Sequence, residues 1–160
     1  MVNGNIDFSG WNVDAIRKYF STLTVSDLKE LASLKAGLNI AANKQAEELA
    51  EVIRPLELQL ADAASKDDMN RISKLSVEIK KLRAKHDAFR FDAIKSHLEY
   101  CCIWIESNER MGLTEADYTS EELVKFPART WDKVKQKQQQ FNLYNYQKPG
   151  NQSGGERSSY

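Results

Sequence analysis

The chain has 160 residues, 41% of them hydrophobic and 29% charged, and its 23 basic and 23 acidic residues cancel. That length fits one domain, or one domain plus a tail, whose core needs neither a metal nor a disulfide. A net charge of zero excludes a global field that draws the chain to nucleic acid or to a membrane, so any such role must rest on a local patch.

The opening MVNGNIDFSG lacks the basic and apolar regions of a signal peptide. The longest apolar run, Cys101 to Ile105, is too short to span a bilayer. Cys101 and Cys102 are the only cysteines, and adjacent thiols are a poor start for a disulfide framework. These features imply a reducing, cytoplasmic setting without membrane contact. Only Gly37 and Gly112 fall inside the body, and Pro55 is the only proline before Pro127. Sheets need more turn residues than that, so the expected class is all-α.

In chain order, Val13, Ile16 and Phe20 share one face of a first short helix from about Asn12. Thr24 or Ser26 caps a second helix, in which Leu28, Leu31, Leu34 and Leu38 recur at helical spacing and Gly37 marks the end. Asn39 caps a third helix with Leu49, Val52, Ile53, Leu56 and Leu60, kinked or broken at Pro55. After SKDD (65–68) comes the longest helix, from Met69 to about Arg110, on the order of 60 Å at 1.5 Å per residue.

Along that helix Ile72, Leu75, Ile79, Leu82, His86 and Phe89 alternate steps of three and four. Such a seam predicts antiparallel hairpin or coiled-coil packing. A second stripe from Phe91 through Ile94, Leu98 and Ile105 predicts burial on two sides. Matching residues outward from 66–68 sets residue 39 opposite about residue 95, so the half beyond needs cover from Trp11, Phe20, Leu28, Leu31 and Leu34.

Gly112 stops the long helix, Thr119 and Glu122 have capping-box spacing, and Thr130 caps a last helix bearing Trp131, Val134 and Phe141 on one side. The expected organisation is a helical body over 1–130, with N-terminal short helices (11–38) packed on one end of a long, coiled-coil-like hairpin (39–110) and a connecting turn (111–130). Residues 131–160 then form an amphipathic helix and a partly disordered basic tail.

Eight basic residues stand against three acids between 71 and 95, and Lys74, Lys81 and Lys85 share one side at helical spacing. They make either a phosphate-binding ridge or a solvated helix face. Lys133, Lys137, Tyr144 and Tyr146 near the C-terminus offer lysines interleaved with aromatics, a pattern suited to stacking on bases. His97 and Cys101 are one turn apart, but Cys102 points about 100° away, so the trio is no natural chelate. His86 in the seam is either a pH-sensitive register device or a partly exposed imidazole. With no glycine-rich phosphate loop and no Gly-x-Ser-x-Gly elbow, the chain is expected to be non-enzymatic, with no cofactor, no metal and no small-molecule substrate.

Residues 23–53 resemble a SAP-type helix–loop–helix through Leu23, Val25, Leu28, Lys29, Gly37, Leu38, Lys44 and Leu49. One-residue insertions are needed, and AAN (41–43) stands where that family has a small glycine-bearing loop. The resemblance implies nucleic-acid binding near Asn43 and Lys44. Two functions therefore lead from the sequence. One is a helical interaction or assembly protein that self-associates or binds a partner helix through Ile72, Leu75, Ile79, Leu82, His86 and Phe89. The other is a nucleic-acid-binding protein using Lys44, Lys74, Lys81, Lys85 and the tail.

Overall fold

The computed structural model describes residues 6–8 and 10–141. Among them there is no strand, so the class is all-α, built around a long helical hairpin as the sequence implies. The helices are α1 (Val13–Phe20), α2 (Val25–Ser65), α3 (Met69–Met111), α4 (Ser120–Leu123) and α5 (Trp131–Gln140), with one 3₁₀ turn at Glu115–Asp117. The chain divides into two compact units. One holds the described residues up to Asn39 and those from Ile94 onward, and the other runs from Ile40 to Ala93.

The second unit is the hairpin. Its turn uses Asp67 at φ 53°. The Asp68 carboxylate then accepts from the Arg71 backbone N–H at 3.3 Å, satisfying a free donor at the start of α3. Side-chain pairs cross between the helices at Asp62–Arg71 (3.3 Å), Glu57–Arg83 and Asn43–Arg90 (2.9 Å). Asp62–Arg71 and Asn43–Arg90 fit the register expected from matching residues outward from the turn, while Glu57 and Arg83 reach along the helices to meet.

The other unit gathers α1, the start of α2, the end of α3, and α5. Asn12 caps α1 by accepting from the Ala15 N–H at 2.8 Å, and Val13, Ile16 and Phe20 are buried. At the far end, the Arg110 guanidinium donates to the carbonyls of Phe20 and Leu23, the first of which also accepts from the Leu23 N–H at 2.9 Å. Phe8, Trp11, Tyr19, Phe20 and Trp131 form a linked aromatic cluster, with Phe8 edge-on to Phe20 at 5.7 Å. A second cluster stacks Phe126 on Trp104 at 4.6 Å and on Tyr100 at 5.6 Å. The Gln138 amide donates to the Trp11 carbonyl at 3.0 Å and ties α5 to the N-terminal segment.

The caps at Thr24, Thr119 and Thr130 form where the sequence put them or allowed them. Gly112, at φ +69°, ends α3, and the Leu113 N–H returns to the Asn108 carbonyl at 2.9 Å.

Three expectations are corrected. Gly37 does not end a helix and Asn39 does not cap one, because α2 continues through both to Ser65. A helix-ending glycine takes positive φ, and among the described glycines only Gly10 and Gly112 do. Pro55 does not break the helix either. The N-terminal short helices are therefore one short helix, α1, plus the first turns of α2. Phe20, Leu28 and Leu31 are fully buried in the unit that also holds the end of α3, whereas Leu34 stays 39% exposed.

Candidate interaction face on the helical hairpin

Helical spacing and burial together define the two faces of the 40–93 unit. On α3, Arg83 and Arg90 lie on one side, and Lys74, Lys81 and Lys85 lie about half a turn away, given about 100° per residue. On α2, Asn43 and Glu57 lie on one side, with Gln45, Val52 and Gln59 on the other. In an antiparallel pair these sides correspond. Glu57–Arg83 and Asn43–Arg90 therefore close one face of the hairpin, and Val52 and the three lysines border the opposite face.

Burial follows this asymmetry. Ile53, Ile79, Ala42, Ala46 and Ala93 are buried in the seam. Leu49 and Leu56 of α2 and Leu75, Leu82 and Phe89 of α3 are only half-buried, and Val52 is 51% exposed. In the observed register Leu49 lies level with the stretch between Leu82 and Phe89, and Leu56 with that between Leu75 and Leu82. The result is an apolar floor on the face that Glu57–Arg83 and Asn43–Arg90 leave uncrossed, bounded near the turn by the Asp62–Arg71 pair.

Of the six seam residues singled out from the sequence, Ile79 is buried and Ile72, Leu75, Leu82, His86 and Phe89 are half-buried. The structure brings them together along one helix of one unit. His86 sits within 3.2 Å of the Asp87 carboxylate. Lys74, Lys81 and Lys85 are exposed and make no ion pair with a described residue. Lys44 is exposed on the outer side of α2 and does not join them. Residues 25–53, where the SAP-type resemblance places a loop, form an uninterrupted part of α2. Lys133 and Lys137 belong to the other unit, on α5, where the Lys137 ammonium lies 5.9 Å from the Phe141 ring. Tyr144, Tyr146 and the tail lie outside the described residues.

Sequence reasoning missed a buried ion pair in the first unit. Lys35 and Glu99 meet at 2.8 Å with side chains 3% and 5% exposed. Glu99 also accepts from the Phe8 N–H at 3.0 Å, and Lys35 donates to the Ile6 carbonyl and lies 5.1 Å from the Phe8 ring. Lys95 adds a 2.9 Å pair with Asp7. The pair thus anchors residues 6–8. Burial raises the Glu99 pKa above its ordinary value, and the Lys35 charge pulls it part of the way back. Extending the hairpin register beyond residue 39 sets position 35 opposite position 99, so the signal was available.

His97 is held below the usual histidine range by burial, partly opposed by a hydrogen bond to the Lys125 backbone. Burial pushes the Cys101 thiol up to about 11 and Cys102 well above its ordinary range. Neither is a reactive thiolate at neutral pH. An Ellman titration of the native chain is expected to show no fast thiol, with both appearing on denaturation. Rapid labelling in the native state would contradict this burial. Among the described residues no three His, Cys, Asp or Glu side chains are grouped to hold a metal ion. No described helix is long and apolar enough to cross a membrane.

The fold and this face together define an all-α chain whose helical hairpin is closed on one side and open on the other. No protein-family model, curated protein or solved structure matches the chain.

Proposed function

We propose that the protein is a non-enzymatic helical assembly protein whose 40–93 hairpin takes up a further helix, from a partner or from a second copy. The observation that carries this reading is the half-burial of Leu49, Leu56, Leu75, Leu82 and Phe89 on a single face. Full burial of such a side chain is worth about 1.5–3 kcal/mol relative to exposure, and a part of that remains to be gained here. A third helix laid in the groove would complete a three-helix bundle and recover it.

The test combines sedimentation velocity of the full chain over a wide concentration range with an NMR titration against synthetic amphipathic helices that share one apolar seam. The expected result is self-association or helix binding, with amide shifts in 45–59 and 74–89 and loss of the complex in Val52→Asp. A chain that stays monomeric and binds no helix overturns the reading.

The second reading is nucleic-acid binding, favoured by one observation: Lys74, Lys81 and Lys85 are exposed, aligned and without an ion pair among the described residues. It requires binding to mixed-sequence DNA or RNA that weakens steeply with salt. An absence of binding at low salt removes it.

A further inference from the structure

The rims of the open face differ in charge, and that difference describes what fits there. On the α2 side the rim is Gln45, Val52 and Gln59, spaced by heptads, with Glu48 the single charge among them. On the α3 side it is Lys74, Lys81 and Lys85, with Glu78 the single acid between them. All three lysines are exposed and none is held in an ion pair with a described residue, whereas Arg71 and Arg83 on the same helix are both paired. At about 1.5 Å per residue, the lysines extend over roughly 16 Å, about three helical turns. The leucine floor runs alongside them over the same turns.

Resting on the reading above, we infer that the occupant of this face is an amphipathic helix of a partner protein with acidic residues along one flank only. Its apolar stripe covers Leu49, Leu56, Leu75, Leu82 and Phe89. Its carboxylates meet the lysines of α3, and its other flank lies against Gln45, Glu48, Val52 and Gln59, which offer a further carboxylate no cation. Complementary flanking charges of this kind set partner choice and orientation in helical bundles. A second copy supplies no such row through this face, which presents the same lysine rim and, on the α2 side, Glu48 alone. A nucleic-acid strand satisfies the lysines and leaves the leucines wet.

The test is a titration of the full chain with three synthetic helices of identical apolar seam, flanked on one side by Glu, Lys or Gln, beside a mixed-sequence DNA duplex and an RNA of the same length. The Glu-flanked helix is expected to bind about tenfold tighter than the Gln-flanked one, the combined effect of a few exposed ion pairs. The triple variant Lys74→Glu/Lys81→Glu/Lys85→Glu is expected to reverse the preference toward the Lys-flanked helix. These side chains are exposed, so an unchanged melting curve verifies that the variant is folded. Leu56→Gln is expected to weaken every helix. Equal affinity for all three helices, or self-association as the only binding, overturns the acidic partner and leaves the assembly reading standing. Binding of no helix by a chain that also stays monomeric overturns both. Nucleic-acid binding that is lost in the lysine variant and indifferent to Leu56→Gln overturns the inference in favour of a phosphate ligand.

Discussion

Replacing Lys35 by methionine is expected to lower stability by about 3–5 kcal/mol, measured by urea unfolding near neutral pH. The cost comes from what remains. Glu99 keeps its buried position and the hydrogen bond from the Phe8 N–H, but loses the ammonium 2.8 Å away. An uncompensated buried carboxylate either stays ionised at great cost or takes up a proton. The pH dependence distinguishes this cause from lost packing. Burial already raises the folded-state pKa of Glu99 above its ordinary value of 4.5, and removing Lys35 raises it further. A carboxyl with a raised folded-state pKa contributes stability that is full below the unfolded pKa and is lost as pH rises through the folded one. The deficit of Lys35→Met should therefore shrink on acidification toward pH 4.5 and be greatest above the raised pKa. The double replacement Lys35→Met/Glu99→Leu should recover much of the loss, since an apolar pair of similar volume commonly substitutes for a buried ion pair. A deficit independent of pH would show that Glu99 is not the group left exposed to the penalty.

Phe20→Ala is expected to cost about 3–5 kcal/mol by the same measurement. Phe20 is fully buried, and its ring meets Phe8, Tyr19 and Trp131 at centroid distances of 5.7, 6.2 and 6.5 Å. One side chain thus joins the N-terminal segment, α1 and the start of α5. Its truncation leaves a void among rings, which are stiff and cannot collapse as aliphatic side chains do. The same substitution at Val124, 75% exposed, should change stability by less than about 0.5 kcal/mol. A small effect at Phe20 would mean that the aromatic cluster does not hold this unit together.

Some of this was legible in the residues and some was not. The start of α1, the long helix and its end at Gly112 were all visible because capping and positive-φ chemistry are local. The hairpin register was legible because a three-residue turn allows little slippage. The continuity of α2 was not. An isolated glycine costs only about 1 kcal/mol in a helix. Helical packing on both sides of Gly37 outweighs that, and nothing in the local sequence reports it. Pro55 is exposed inside α2, which runs on past it to Ser65.

The candidate site was half legible. Spacing alone aligned the seam and the three lysines. Which flank of the seam stays open depends on Glu57–Arg83 and Asn43–Arg90, contacts between residues 26 and 47 positions apart. Only the folded hairpin shows that these pairs occupy one face and leave Leu49, Leu56, Leu75, Leu82 and Phe89 half-covered on the other.

The most direct test of the assembly reading is residue-resolved NMR of the full chain titrated with the Glu-flanked amphipathic helix. Saturable amide shifts confined to the open hairpin face, centred on Val52, Leu56, Lys81 and Leu82, and abolished by Leu56→Asp, are the predicted result. Saturable shifts that fall outside 40–93, or no shift at any peptide concentration in a chain that also stays monomeric, would contradict it.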